Sequence, residues 1–224
     1  MVFTVNLNIV SDVSTVDASL IILYYERQSC INFYLTFLLK MRVIAGKAKG
    51  QRLKVAKGNI TRPATDLVRG AIFSMLESST DDWSQVLDLF SGSGALGIEA
   101  LSRGAGRVDF VEREPRCCDI IKQNLENTKL IEQAHIYCSS VARAISFLDK
   151  EYNIILMDPP YSDTSIGHIL TRVASSKLVG SKSTIVVTHS PRLTLDSTYA
   201  EFTLVKERRH GDSCIAIYRK GGLL

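Results

Sequence analysis

The chain has 224 residues, 46% hydrophobic and 22% charged, the profile of a soluble globular protein with room for one sizeable core. The formal net charge of +4 is weak but unevenly spread: between Met41 and Gly70, Arg42, Lys47, Lys49, Arg52, Lys54, Lys57, Arg62 and Arg69 stand against Asp66 alone. A basic segment on a near-neutral body suits contact with phosphates, although a solvated lysine-rich hairpin has the same composition. The five cysteines are odd in number and form no C-x-x-C pair, which argues against a disulfide framework or a zinc site and fits a reducing cytoplasm.

In chain order, "FTVNLNIV" alternates like a strand and "INFYLTFLL" is an apolar run of nine residues, too short for a membrane span of about twenty. No basic region opens the chain, so a signal peptide fits poorly. The composition changes at Lys40-Met41. Residues 1–40 are therefore read as an extension, with Met41 as the expected true start. Residues 41–60 are read as a basic hairpin arm and 61–224 as the main domain. "RVIAGKAKGQRLKVAKG" (42–58) has two short strands about a Lys/Gly turn. In "TRPATDLVRGAIFSMLES" (61–78) the face Leu67, Ala71, Met75 and Ser78, with Val68, Ile72 and Leu76 beside it, predicts a helix.

Strands at 85–90, 107–112, 134–139 and 152–158 then alternate with helical stretches. A helix over 165–178 leads to a strand at 183–190, and 202–220 reads as a closing pair of strands. Such alternation predicts an α/β fold, a doubly wound, mostly parallel sheet of seven strands. The last two strands lack a helix between them, which puts an antiparallel strand at the sheet edge.

Two motifs carry chemistry. "DLFSGSGALG" (88–97) places Gly92, Gly94 and Gly97 between a strand and a helix, where a tight turn brings backbone to a ligand at the helix N-terminus. Glu112 ends the next strand, where a carboxylate can bind ribose hydroxyls. These features point to a nucleoside cofactor without choosing among them, since a dinucleotide fold has the same acid about twenty residues on. The second motif is Asp158-Pro159-Pro160-Tyr161. Open α/β sheets bind ligands at the C-terminal ends of their strands, so Asp88, Glu112 and Asp158 belong to one rim. The prolines lack N–H groups and cannot be drawn into a helix or ladder. A carboxylate, a fixed carbonyl and an aromatic face suit a planar group bearing an amine. The four histidines, His135, His168, His189 and His210, show no metal-ligand spacing and are read as structural or surface residues; no metal is expected.

"DLFSGSGALGIEALSRGA" with "DPPY" resembles the class I S-adenosylmethionine-dependent amino-methyltransferases. "MRVIAGKAKGQRLKV…TRPATDLVRGAIFSML" resembles more closely the bacterial 16S rRNA guanine-N2 methyltransferases, and the resemblance runs from Met41 to about Lys220. It implies a Rossmann-like methyltransferase fold and S-adenosyl-L-methionine as cofactor. Gly92 and Gly94, with Asp88 and Ser91 near them, would border the methionine part of that cofactor. Glu112, with Arg113 beside it, would hold the ribose, and Arg62 and Thr65 of the R-P-x-T element would close over it. Asp158 and the Pro159 carbonyl would bind the target amine, with Pro160 fixing the segment and Tyr161 stacking on a flipped guanine. Lys47, Lys49, Arg52, Arg208 and Arg209 would grip RNA phosphates. The implied substrate is 16S rRNA or an assembling small subunit, acted on by a cytoplasmic monomer. The chain departs from the family pattern at Gly70, at Arg143, where an adenine contact is usual, and at His210.

The alternatives are a DNA adenine methyltransferase, a protein-glutamine methyltransferase, a non-catalytic nucleotide- or RNA-binding module and an NAD oxidoreductase. The first usually needs an added recognition region. The second usually has Asn at the position of Asp158. The module would have a degraded tetrapeptide, and the oxidoreductase gives no reason for residues 158–161.

Overall fold

A computed structural model describes residues 41–56, 65–161, 163 and 165–221. The reading of residues 1–40 and the expected role of Arg62 lie outside these. Five helices are present among the described residues: α1 (Asp66–Glu77), α2 (Ala95–Ser102), α3 (Pro115–Asn127), α4 (Val141–Phe147) and α5 (Ile166–Ala174). Eight strands form one sheet: β1 (Gln85–Leu89), β2 (Arg107–Glu112), β3 (Ala134–Cys138), β4 (Tyr152–Met157), β5 (Val179–His189), β6 (Thr198–Tyr199), β7 (Phe202–His210) and β8 (Ser213–Lys220).

The strand order is β3-β2-β1-β4-β5-β8-β7-β6. The first five strands are parallel, and β8 enters antiparallel between β5 and β7. Two details differ from the sequence reading. The sheet has an eighth strand, the two-residue β6, too short to leave a periodic signal. The antiparallel β8 is internal rather than at an edge, because the 211–212 turn folds it back between β5 and β7.

The sheet separates two cores, as the strand alternation requires. On one face Val86, Phe110, Leu156, Val186 and Ile215 pack with α1, α2, α3 and residues from Met41 to Leu53. On the other, Leu87, Val111, Met157, Val187 and Ala216 pack with α4 and α5. The buried stripe of α1 is Val68, Arg69, Ile72, Phe73, Met75 and Leu76. It is rotated from the predicted face, and Leu67 is 69% exposed.

Residues 41–56 form a hairpin without the two expected strands, closed by the single antiparallel Arg42–Arg52 bridge and by bonds from Val43 N–H to Gln51 O and from Leu53 N–H to Met41 O. Polar side chains bond it to the body. Glu99, fully buried in α2, accepts the N–H groups of Ile44 (2.7 Å) and Ala45 (2.9 Å). Ser102 Oγ accepts from Ala48 N–H at 2.9 Å, and Asn124 bonds both the N–H and the carbonyl of Lys54. With the hairpin over it and Glu99 and Ser102 bonded to that hairpin, α2 is buried on every side.

Candidate functional site

Three acids meet at the C-terminal rim of the parallel strands. Asp88 sits in β1 and Glu112 ends β2, on the face of Val86 and Phe110; Asp158 follows β4. Asp88 is fully buried. Burial pushes its carboxyl up to about 8, opposed by the Gly97 N–H and reinforced by the charges of Asp158 and Glu112. That coupling places the three carboxylates in one electrostatic field. Asp88 Oδ2 accepts the Gly97 N–H at 2.9 Å, while Oδ1 is buried without a hydrogen-bond partner among the described residues.

The glycine turn is built for backbone exposure. Phe90, Gly92 and Gly94 all have positive φ, at 63°, 55° and 78°, a conformation disfavoured for any side chain beyond glycine. A Cβ at Gly94 would meet Ile121 at 3.2 Å. Gly97 serves the close approach of α2 to the sheet, since a Cβ there would stand 2.3 Å from the Phe110 ring. Glu112 braces this loop, its two oxygens accepting Gly92 N–H at 2.8 Å and Glu114 N–H at 2.9 Å.

The expected cofactor residues fall into four groups. Asp88, Gly92, Gly94 and Glu112 are brought together. Ser91 ties β1 to β2, donating to Asp88 O at 2.6 Å and accepting Val111 N–H at 3.1 Å, so its side chain serves the strand ends. Thr65 caps α1, its hydroxyl accepting Val68 N–H at 3.3 Å. Arg113 is exposed beside Glu112.

The tetrapeptide continues from β4 with Pro159 buried. The Pro160 carbonyl accepts Asp163 N–H at 2.8 Å and closes a turn. Tyr161 is 42% exposed, and its hydroxyl bonds Ser213 Oγ at 2.5 Å. Thr188, near the end of β5, donates its hydroxyl to Asp158 Oδ1. Neither Thr188 nor Ser213 was found from sequence; no motif links partners 30 and 52 residues apart. Arg69 was also missed as a site residue. It is fully buried in α1, and one of its nitrogens bonds both Arg42 O (2.5 Å) and Asp66 (3.1 Å). Burial pulls its guanidinium below the usual range, opposed by Asp66, Glu99 and Asp158.

The expected phosphate-binding residues divide. Lys47, Lys49 and Arg52 are exposed on the hairpin, and Lys47 donates to Gln133 Oε1 at 2.6 Å. Arg208 and Arg209 are adjacent in β7 and therefore face opposite sides. Arg208 pairs with Ile215 on the Asp88 face, and Arg209 pairs with Cys214 on the other. Arg209 Nε also donates to Gly211 O at 3.0 Å.

The family described as "Conserved hypothetical protein 95" matches residues 41–219. The chain belongs to that family. A Bacillus subtilis relative named "Putative rRNA methyltransferase YlbH" is 36% identical over 185 residues, 81% of this chain and 100% of the relative. The Escherichia coli "Ribosomal RNA small subunit methyltransferase D" is 29% identical over 81% of this chain and 90% of its own length. The solved structure of "Putative methyltransferase yhhF" from Escherichia coli superposes with a TM-score of 0.70 at 29% identity, covering 82% of this chain and 99% of that one. The fold is the Rossmann-like methyltransferase fold, and the chain is a methyltransferase of this family.

Proposed function

We propose that the protein transfers a methyl group from S-adenosyl-L-methionine to the exocyclic N2 amine of a guanine in 16S rRNA. The observation that carries this reading is the convergence of Asp158 and its Pro-Pro-Tyr extension with Asp88 and Glu112 on one rim. The relatives named as small-subunit rRNA methyltransferases supply the substrate class. Residues 61–224 are assigned the methyl transfer and 41–60 the contacts to RNA, with residues 1–40 outside both. The substrate places the protein in the cytoplasm, and no described helix is long and apolar enough to cross a membrane. We assign it as a monomer.

The residues present fit the cofactor. Glu112 stands where ribose hydroxyls need an acceptor, Gly92 and Gly94 keep the loop clear of side chains, and the buried Asp88 oxygen is available to a cationic tail. When bound, the cofactor supplies a methyl group activated by a sulfonium. The protein's part is positioning. An exocyclic amine is a poor nucleophile because its lone pair is delocalised into the ring. Asp158 and the Pro159 carbonyl accept its two N–H bonds, orient the nitrogen and favour the positive charge that develops on it. Asp158 takes the released proton, and Thr188 fixes the carboxylate for that task. Tyr161 offers its face to the base. A base inside a helix is out of reach, so the target is unpaired or extruded.

The test is transfer of a radiolabelled methyl group to small-subunit RNA and to particles from cells lacking the enzyme, followed by mapping. Label on guanine N2 is expected. Label on adenine, or on protein, would overturn the assignment.

A further inference from the structure

Across the sheet from Thr188 and Ser213 lies a second constellation that the methyl-transfer chemistry does not use. His189 ends β5, Glu207 lies in β7 and Cys214 in β8. The register pairs His189 with Cys214 and Glu207 with Ala216, so the three side chains share one face. One nitrogen, one carboxylate oxygen and the sulfur lie within 4.8 Å of one another. His189 and Cys214 are buried, at 2% and 9% exposed, and the half-exposed Glu207 side chain opens the cluster to solvent.

The surroundings of His189 decide what its ring must carry. Nδ1 lies 3.1 Å from the carbonyls of both Ser190 and Leu193. Both are acceptors, so Nδ1 holds a proton. Nε2 faces Glu207 Oε1 at 3.0 Å. A bare lone pair against a bare carboxylate is repulsive, so a proton carried by either partner, or a metal ion, must lie between them. Metal-bound histidines are commonly held through the other ring nitrogen by a backbone carbonyl, as Nδ1 is here. The third donor, a buried sulfur, has no place in a simple histidine–carboxylate pair.

We propose that His189 Nε2, Glu207 and Cys214 form a binding site for a zinc-type divalent ion, completed by water. The donor set of one nitrogen, one oxygen and one sulfur is within zinc's ordinary repertoire. Binding releases two protons to solvent, the Cys214 thiol proton and the proton between Nε2 and Glu207, in exchange for the metal–sulfur, metal–nitrogen and metal–oxygen bonds. Burial and the charge of Glu207 push that thiol up, with Arg209 opposing, so the sulfur stays protonated until a metal displaces the proton. Arg209 pairs with Cys214 but directs its Nε to Gly211 O. The ion would join β5, β7 and β8 directly behind the two hydroxyls that hold Asp158 and Tyr161. The histidines were read above as lacking metal spacing; these ligands come from three separate strands that only the sheet assembles.

The experiment titrates the purified full-length chain with zinc alone, and with cobalt(II) as a spectroscopic probe. Wild type, Glu207→Gln and Cys214→Ser are compared. One zinc per chain, a sulfur-to-cobalt charge-transfer band and a higher melting temperature with zinc are expected for wild type. Cys214→Ser should lose the band, and both variants should bind zinc about tenfold or more weakly. Glu207→Gln replaces a half-exposed group and preserves the fold, so it reports even where Cys214→Ser does not fold. Absence of zinc binding by wild type would overturn the proposal and leave His189 and Glu207 as a hydrogen-bonded pair. Equal zinc affinity in wild type and Glu207→Gln would overturn it too, by placing the ion elsewhere.

Discussion

The parallel and antiparallel halves of the sheet present different polar groups. At the C-terminal ends of β1, β2 and β4 stand Asp88, Glu112 and Asp158. In β7 stand Lys206, Arg208 and Arg209. The acids are held by named partners: the Gly97 N–H, the N–H groups of Gly92 and Glu114, and Thr188. Of the β7 cations, Arg208 and Arg209 are exposed. The first arrangement suits chemistry that needs fixed acceptors, and the second suits adhesion to phosphates, which tolerates loose geometry. The two halves should therefore fail differently when altered.

Asp158→Ala should break the acidic half most severely, lowering the rate of methyl transfer by about a hundredfold to a thousandfold or more. Cofactor affinity, measured by calorimetry, should largely survive; losing both together would give Asp158 a different role. Next, Lys47, Lys49 and Arg52 changed together to Ala should weaken RNA binding without lowering the rate at saturating RNA. The slope of log affinity against log salt should flatten by up to about two, near 0.7 per lost single-strand contact. An unaltered slope would remove the hairpin from the RNA surface.

Thr188→Val should lower the saturated rate by about tenfold, the value of one hydrogen bond to a charged group. Thr188→Ser should restore it. A rate unaffected by Val would deny Thr188 its hold on Asp158. Arg208→Ala and Arg209→Ala give the smallest expected effect on binding and the sharpest comparison. Arg208 shares the face of Asp88, so its loss should weaken RNA binding by a few-fold, about 1 kcal/mol. Arg209, on the far face, should show less; equal losses would mean that RNA wraps both sides of β7.

Asp88 gives a prediction in pH. Its carboxyl titrates near 8 in the folded chain and near the ordinary value of about 3.9 when unfolded. Between those values the folded state holds a proton that the unfolded state has lost. Stability contributed by this group therefore falls as pH rises from about 4 to about 8 and levels off above. Asp88→Asn should flatten the melting temperature across that window; a wild-type slope in the variant would assign the titration to another group.

Much of this was legible in the sequence, for physical reasons. Strand–helix alternation follows from periodicity, so the doubly wound fold and all five described helices could be read. The buried stripe of α1 could not, because Arg69 belongs to it and no hydrophobicity pattern puts an arginine in a core. The place of β8 was equally hidden, since two strands joined by a short turn do not say which neighbour each will choose. In the site, Asp88, Glu112 and Asp158 were readable because strand ends in such sheets share a rim. Thr188 and Ser213 were not, because each acts through a partner in another strand. Arg208 and Arg209 look like a pair in sequence, and the alternation of β7 separates them.

The bonds that hold residues 41–56 carry a consequence for anyone exchanging parts between relatives. Glu99, Ser102 and Asn124 receive the hairpin's backbone rather than its side chains. Its exposed positions are thus free to drift, while the buried Met41, Val43, Ala48 and Leu53 and the seat stay put. A transplanted hairpin should retain its place if the recipient keeps those three side chains and the graft keeps its four buried apolar ones, carrying a new pattern of charge on an old foundation.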